Sequence, residues 1–567
     1  MPFFRCAQSR SASMSEDNRH LLPTISSNRL VLLFSLALVL FYNLATWKAL
    51  DGLVPLQGAY RIAFFASFGV FLWAAFSLLL TLVSFRPLLK PALTLVALCS
   101  AAAAYFMNSY GIAIDTVMVQ NVFETNPGEA EALFSGRLVA YLLLLGALPS
   151  ALVWALPVAY KPFLRGLLNK VLVVFACVAA VAVMVGSFYS TYAPIFREED
   201  KLTHFINPTN YIYAVTKYGK QRLGIKKAEL VVQKIGEDAV QSAKASQRAK
   251  KSLFVFVVGE TARADHFSLN GYARQTNPEL AKLDILNFTQ VHSCGTSTAV
   301  SVPCMFSKFP REDYSDKKGK TYESLLDVLQ RAGLQVIWLD NNSDCKGTCL
   351  RVPHRDIPKN QPGPFCDGNR CLDEALLQDL QAYIDGLKDN AIIVLHADGS
   401  HGPEYYDRYP ADMERFKPVC RTNQLGSCSK DELVNVYDNT ILYTDFFLSK
   451  VIDLLKKNSD RYDTSMLYVS DHGESLGENG VYLHAAPYAI APAAQVHVPM
   501  VMWFGPSTLR DLGIDRGCLA GKRDEQDLSH DNLFHSVLGL LDVRTSLYQP
   551  GLDIFHSCRG NAVAAGE

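Results

Sequence analysis

The stretch Met466-Leu467-Tyr468-Val469-Ser470-Asp471-His472-Gly473-Glu474 runs a short apolar segment straight into a polar cluster. An apolar run of that length, bounded by turn residues, suits a buried strand. Three more runs repeat the arrangement. Residues 253–258 lead into Gly259-Glu260-Thr261. Residues 334–339 lead into Asp340-Asn341-Asn342-Ser343-Asp344-Cys345-Lys346. Residues 391–395 lead into His396 and then Gly399-Ser400-His401-Gly402-Pro403. A fifth run spans 498–504, and helical patterns fall at 321–332 (stopped by Gly333), 372–388, 430–457 and 529–541. Strands alternating with helices predict an α/β fold with a largely parallel sheet. Ligands bind beyond the carboxyl ends of such strands, so the four polar ends are expected to converge.

Carboxylate oxygen and imidazole nitrogen together suit Zn²⁺. Glu260, Asp471 and His472 would supply three ligands and leave a position for a reacting oxygen. Thr298 is the candidate for that oxygen. It lies in Cys294-Gly295-Thr296-Ser297-Thr298-Ala299-Val300-Ser301-Val302-Pro303-Cys304, where small hydroxyl residues sit between two cysteines. A disulfide there would close a tight loop and pin one hydroxyl. A hydroxyl is a weak nucleophile until a base or a metal activates it. The competing reading is a Ser/Thr-rich surface loop stapled for stability. His401 and His484 are left for a phosphate oxygen, a leaving alcohol or a second metal, and Lys346 for phosphate as a point charge. His396 is expected to be a satisfied strand histidine.

The chain has 567 residues, 49% hydrophobic and 19% charged, with net charge −1. That excludes an electrostatic case for nucleic-acid binding and predicts a mixed membrane and soluble chain. Five apolar runs near the ~20 residues that cross a bilayer lie at about 30–50, 60–85, 91–110, 138–160 and 170–190. Arg86, Lys90, Lys161, Arg165 and Lys170 flank the even-numbered runs. Asp51, Asp115, Glu124, Glu129 and Glu131 follow the odd-numbered ones. The positive-inside rule then puts the polar N-terminus in the cytoplasm and everything after 190 outside. Ten of thirteen cysteines lie between Cys294 and Cys558. Cys294/Cys304, Cys345/Cys349, Cys366/Cys371 and Cys420/Cys428 suggest short-range disulfides, with Cys518/Cys558 as a long-range fifth. That framework agrees with an oxidising compartment. The spacings lack CxxC pairs and interleaved His, which disfavours a zinc knuckle.

Asn121, Thr125 and Glu129 recur every four residues, so one helix would carry them on one face. That face is either solvated or turned towards a lipid headgroup. The expected organisation is a cytoplasmic N-terminus (1–28), a five-helix transmembrane domain (29–190), an amphipathic connector rich in Tyr and then basic residues (191–250), and a catalytic domain (251–567).

The chain resembles the phosphoethanolamine–lipid A transferases, the membrane family that includes the mobile colistin-resistance enzymes. The matching stretches are VVGETARADHFSLNGYARQTNP (257–278), CGTSTAVSVPCMFS (294–307), DNNSDCKG (340–347), GSHGPEYYDRYP (399–410), SDHGESLGENGVYLH (470–484) and SHDNLFHSVLGLLDV (529–543). SDHGE alone would indicate only the wider alkaline phosphatase/sulfatase-like group. The resemblance implies an inner-membrane zinc enzyme, multi-pass, with an alkaline phosphatase/sulfatase-like periplasmic domain. It implies Thr298 as the metal-bound nucleophile, Glu260, Asp471 and His472 as zinc ligands, and His401 and His484 as substrate-binding or second-metal residues. Asn342, Ser343, Lys346 and Glu474, with Asn121, Thr125 and Glu129 in the membrane part, would surround the headgroup.

The expected reaction is transfer of phosphoethanolamine from phosphatidylethanolamine to a lipid A phosphate through a covalent phosphothreonine. The added amine would lower surface negative charge and weaken polymyxin binding. The protein is expected to act as a membrane-embedded monomer. Alternatives are the same chemistry on a core sugar, periplasmic glucan or lipoteichoic acid, a phosphodiesterase using water, and a tethered binding protein on an inactive sulfatase-like fold.

Overall fold

The computed structural model describes residues 23–53, 57–125, 127–189, 191–192, 200–228, 232–360, 362–525 and 528–560. The N-terminal stretch with Arg5, Cys6, Arg10, Met14 and Arg19 lies outside the described residues, as does the side chain of Glu129. The chain forms two compact units. One takes residues up to 105 with 137–208; the other takes 106–136 with 209 onward.

Among the described residues four helices are long and apolar enough to cross a membrane: Gly58–Leu82, Leu89–Tyr110, Gly136–Ala155 and Phe163–Ser187. The pair Ser27–Tyr42 and Leu44–Gly52, bent by 59°, is apolar enough only when taken together, as a broken span or a re-entrant loop. At the bend the buried Asn43 donates from Nδ2 to the carbonyls of Leu38 (2.9 Å) and Asn207 (2.7 Å). The first bond serves a backbone oxygen of the interrupted helix and the second ties the bend to the segment at Asn207, so buried carbonyls find donors as an apolar setting requires. The last helix begins at Phe163, not near 170, so Arg165 and Lys170 belong to the helix rather than to a loop. Lys170 reaches back to bond Ser84.

In the second unit eight strands form one sheet. They are β1 (Lys251–Gly259), β2 (Ile285–His292), β3 (Gln335–Asp340), β4 (His354–Asp356), β5 (Ala391–His396), β6 (Tyr462–Ser470), β7 (His497–Phe504) and β8 (Leu528–Ser529), in the order β8-β2-β7-β6-β1-β5-β3-β4. All five predicted strands are present. The pairs β6-β1, β1-β5, β5-β3, β3-β4 and β8-β2 are parallel. β7 runs antiparallel to both β6 and β2. No crossover helix links β6 to β7, so the chain returns from the end at which β6 finished. β2 escapes prediction because only Leu286, Phe288 and Val291 of its eight residues are fully buried, so it lacks a continuous apolar run.

Central β1 is buried on both faces. Phe254, Phe256 and Val258 join a core with Leu533 and Phe534. Leu253, Val255 and Val257 pack with Tyr437, Ile441 and Leu448 of the helix Lys430–Asn458. Successive strand residues face opposite layers, so a strand covered on both sides reads as an unbroken apolar run. The long helix opens with a capping box of Ser429 and Glu432. The pattern at 372–388 resolves into a 3-10 turn, Asp373–Leu377, and a helix, Leu380–Asp385. The 321–332 pattern gives a helix only over Leu325–Arg331, capped by Ser324 and Asp327 and followed by Gly333 at φ 96°. Disulfides join Cys294–Cys304, Cys345–Cys349, Cys366–Cys371, Cys420–Cys428 and Cys518–Cys558.

The long helix also holds a buried carboxyl. Asp445 accepts the backbone N–H groups of Glu279 (2.7 Å) and Leu280 (3.0 Å). Burial nevertheless pushes its pKa up to about 7. The native state therefore keeps a proton that an unfolded Asp loses near ~3.9. The stability carried by that proton is present below about pH 4 and is lost as pH rises through about 7. At most about 4 kcal/mol is involved, at ~1.36 kcal/mol per pKa unit. Melting of the protein across pH 5–8 should show a falling Tm with rising pH that Asp445→Asn flattens; an equal slope in the variant counts against the assignment.

Candidate active site

The site is built where β1 and β6 end side by side. The Asp471 N–H donates to Gly259 O (2.9 Å), which ties the two strand ends together. Thr261 then turns the chain at φ 53°. Gly399, at φ 52°, passes so close that a Cβ there would lie 2.7 Å from Glu260 O. Only glycine permits that approach.

These turns bring Glu260, Asp471 and His472 together, all buried, with one donor atom from each within 4.8 Å of the others. Asp471 Oδ1 accepts the N–H groups of His472 (2.7 Å) and Thr261 (3.2 Å), while Oδ2 is buried without a partner. Glu260 Oε2 accepts from Asn342 Nδ2 (2.8 Å) and Thr298 Oγ1 (3.1 Å), while Oε1 is likewise unpartnered. His472 bonds the Gly473 carbonyl through Nδ1 (2.9 Å). Its Nε2 faces Glu260 Oε1 at 3.3 Å and Asp471 Oδ2 at 3.4 Å. Two orphaned buried carboxylate oxygens and one inward imidazole nitrogen fit a divalent cation.

Charge crowding marks the same spot. Burial, reinforced by the Glu260 charge, pushes Asp471 up to about 7. Burial works against ionised Glu260, yet the neighbouring His472, His401 and His484 hold its pKa below the usual range. For His472 burial is outweighed by Asp471 and Glu260, which raise it to about 10.

Thr298 opens a helix, Thr298–Met305, with Ser297 as its N-cap. This corrects the expected loop. The β-branched residues and internal Pro303 have poor helix propensity, but seven of the eight helical residues are buried, and packing overrides propensity. The Cys294–Cys304 disulfide closes over this turn. His530, absent from the sequence-based site, joins it to the end of β6 that carries Asp471 and His472. It accepts the Cys294 N–H at Nδ1 (3.0 Å) and donates from Nε2 to Ser470 O (3.0 Å). Burial lowers its pKa to about 3, so the bridge stays neutral.

Thr298 faces a cavity of about 130 Å³ that lies wholly within this unit. Ser297, Ser343, Lys346, His401 and His484 share its polar wall. Asn121, Glu124 and Thr125 enter from the 106–136 segment, with Phe106, Ile112 and Met118 as apolar lining. Asn121 and Thr125 do not share the expected helical face. The helix Thr116–Glu124 stops before Thr125, which is extended at ψ 132°, and Pro127 opens the next helix, Pro127–Ala132. Two predicted headgroup residues stand behind the cavity instead of in its lining. Asn342 Nδ2 is spent on Glu260 Oε2 and the Ala397 carbonyl (3.0 Å). Glu474 is buried, and its Oε2 meets His484 Nδ1 at 3.2 Å. Both hold other site residues in place. Sequence reasoning misses Glu124 and Ser297; Glu124 lies three residues after Asn121, the alternative helical spacing. His396, expected to be a satisfied strand histidine, is satisfied on one nitrogen only: Nδ1 bonds Asp340 Oδ2 at 2.9 Å, while the buried Nε2 has no partner.

The Sulfatase family matches residues 252–543, and the family described as Phosphoethanolamine transferase EptA/EptB matches residues 72–223. Phosphoethanolamine transferase EptA of Salmonella typhimurium is 42% identical over 540 residues, covering 95% of this chain and 98% of the relative. Phosphatidylethanolamine transferase Mcr-1 of Escherichia coli is 40% identical over 513 residues, covering 88% and 92%. The integral membrane lipooligosaccharide phosphoethanolamine transferase A from Neisseria meningitidis superposes with a TM-score of 0.90 at 38% identity, covering 95% of this chain and 100% of that one. The chain therefore belongs to the phosphoethanolamine transferase EptA/EptB family, as an inner-membrane protein with an alkaline phosphatase/sulfatase-like catalytic domain in the periplasm.

Proposed function

We propose that the protein moves phosphoethanolamine from phosphatidylethanolamine to a phosphate of lipid A, with Thr298 as the covalent carrier. The observation that supports this best is the Thr298 hydroxyl: it sits 3.1 Å from Glu260 Oε2, beside the cation-fit cluster and on a cavity lined by both polar and apolar side chains. A headgroup attached to acyl chains needs both kinds of wall.

Glu260, Asp471 and His472 would hold Zn²⁺. When bound, zinc supplies a Lewis acid that favours the ionised threonine oxygen and offsets charge on the phosphoryl group. Glu260 orients Thr298 and is itself fixed by Asn342. In the first step the Thr298 oxygen bonds to phosphorus, the bond from phosphorus to the diacylglycerol oxygen breaks, and the threonine proton ends on the departing alcohol. His484, steadied by Glu474, is placed to carry that proton. Lys346 meets phosphate oxygen, and the Glu124 carboxylate meets the ethanolamine ammonium. In the second step an oxygen of the acceptor phosphate takes the phosphorus, the Oγ–P bond breaks, and the proton of the acceptor phosphate returns to Thr298. The protein is taken to act as a monomer. Added amines on lipid A lower its negative charge and so its affinity for polymyxins.

Lipid A mass spectra of a polymyxin-sensitive host, with and without the protein, test this directly. One added phosphoethanolamine mass on lipid A is expected. The same mass on core sugar or glucan with lipid A unmodified moves the acceptor, and free phosphoethanolamine alone indicates a hydrolase.

A further inference from the structure

We propose that the acceptor has its own seat: a second cavity, partitioned from the nucleophile's by Glu124 and Lys346, that takes a phosphate-bearing, acylated molecule. This rests on the transferase reading above and names where its second substrate docks.

The second cavity, about 580 Å³, lies in the same unit, and both Glu124 and Lys346 line it as well as the first. Its charged lining is Arg222, Lys320, Lys346 and Arg351 against Glu124 and Asp344. Asp316 and Asp327 behind this lining pair with Lys320 and Arg351, and Asp344 approaches Lys346 at 3.4 Å, so Arg222 is the lining cation with no carboxylate of its own. Three of the four are already held in place. Lys320 is gripped by Glu124 (2.9 Å) and Asp316 (3.1 Å). Arg351 clasps Asp327 through Nε (2.8 Å) and Nη2 (2.9 Å). Lys346 donates to Ser343 Oγ (2.6 Å). Groups fixed before binding lose little freedom when an anion arrives. Arg222 forms no ion pair among the described residues, which leaves its guanidinium uncommitted beside this lining.

The apolar part of the wall is on the surface. Phe123 is 65% exposed and Leu350 66% exposed, and both line this cavity. Phe123 is braced by stacking on Tyr218, with ring centroids 5.5 Å apart. Exposed apolar side chains beside clustered cations suit an amphiphile with an anionic head better than a free sugar or a free phosphate. The partition also fits the chemistry. Lys346 touches both spaces, so a phosphate it holds from the acceptor side lies next to the space that Thr298 faces. There the acceptor phosphate oxygen bonds to the phosphorus on Thr298 while the Oγ–P bond breaks and the acceptor's proton returns to the threonine.

The experiment uses the full chain in vesicles of phosphatidylethanolamine with or without bisphosphorylated lipid A. Arg222→Glu and Leu350→Asp change half-exposed and exposed positions outside both buried cores of this unit. Diacylglycerol released without lipid A reports donor cleavage, and modified lipid A reports transfer. Each variant is expected to raise the KM for lipid A by about tenfold or more, Arg222→Glu by losing a charged contact and Leu350→Asp by setting a carboxylate where the acylated part would rest, with donor cleavage within twofold of wild type. Transfer unchanged in both variants overturns the acceptor seat, as does donor cleavage falling in parallel with transfer. A wild-type protein that cleaves donor yet never modifies lipid A overturns the transferase reading itself, which is a separate outcome.

Discussion

Thr298→Ala is expected to cut phosphoethanolamine transfer by about a thousandfold or more, the scale seen when a covalent nucleophile is deleted, while the protein still folds. The structural cost is small because the hydroxyl makes one good bond, to Glu260 Oε2 at 3.1 Å, and a marginal 3.5 Å approach to His472 Nε2. Losing one such bond costs roughly 1 kcal/mol, and alanine is a better helix former than threonine at the first position of Thr298–Met305. Thr298→Ser keeps the oxygen but loses the methyl group that restricts its rotamers. It should keep a measurable fraction of activity. Lipid A mass spectrometry together with a melting curve reads both consequences. Transfer by the alanine variant at more than a few per cent of wild type would show that another group carries phosphoethanolamine. Ser297, buried with an unpartnered hydroxyl in the same cavity, would be the first suspect.

Why Thr298 is legible in the sequence while its setting is not is a matter of range. The strand ends announce themselves because buried parallel strands are continuous apolar runs, and the polar residue that follows each is local in sequence. Glu260, Asp471 and His472 are therefore readable from the sequence alone. The helix at Thr298 is not, since Val300, Val302 and Pro303 argue locally against it, and only burial on all sides outweighs their poor propensity. Side-chain direction is equally non-local. Asn342 follows a strand end as Glu260 and Asp471 do, yet its amide turns to Glu260 and Ala397 instead of the cavity. The 106–136 segment shows the limit most clearly. In sequence it is a polar loop between two apolar runs. In the fold it belongs to the catalytic unit and contributes Asn121, Glu124 and Thr125 to the cavity wall. No periodicity could reveal this, because the partners in that wall lie far along the chain, from Ser297 to Ala485.

Glu260→Gln should remove both the proposed zinc and the activity, although it changes one atom and almost no volume. The two carboxylate oxygens have opposite duties. Oε2 accepts two donors, from Asn342 and Thr298. Oε1 is the unpartnered oxygen facing His472 Nε2. An amide can satisfy only one duty at a time. With its carbonyl at the Oε2 position, its NH₂ enters the cation site and no lone pair is offered there. Turned the other way, its NH₂ meets the Asn342 NH₂, two donors face to face in a fully buried place, which costs about 1–3 kcal/mol. In either orientation the site also loses a negative charge that a Zn²⁺ ion needs. Elemental analysis of the purified variant should find zinc well below the wild-type ratio, and transfer should fall by about a hundredfold or more, in line with loss of metal-ion catalysis. Adding excess zinc should restore little, because the defect is in the donor set rather than in supply. A variant that keeps wild-type zinc and loses activity would instead assign Glu260 to orienting Thr298 alone. One that keeps both would remove the carboxylate at the end of β1 from the chemistry altogether.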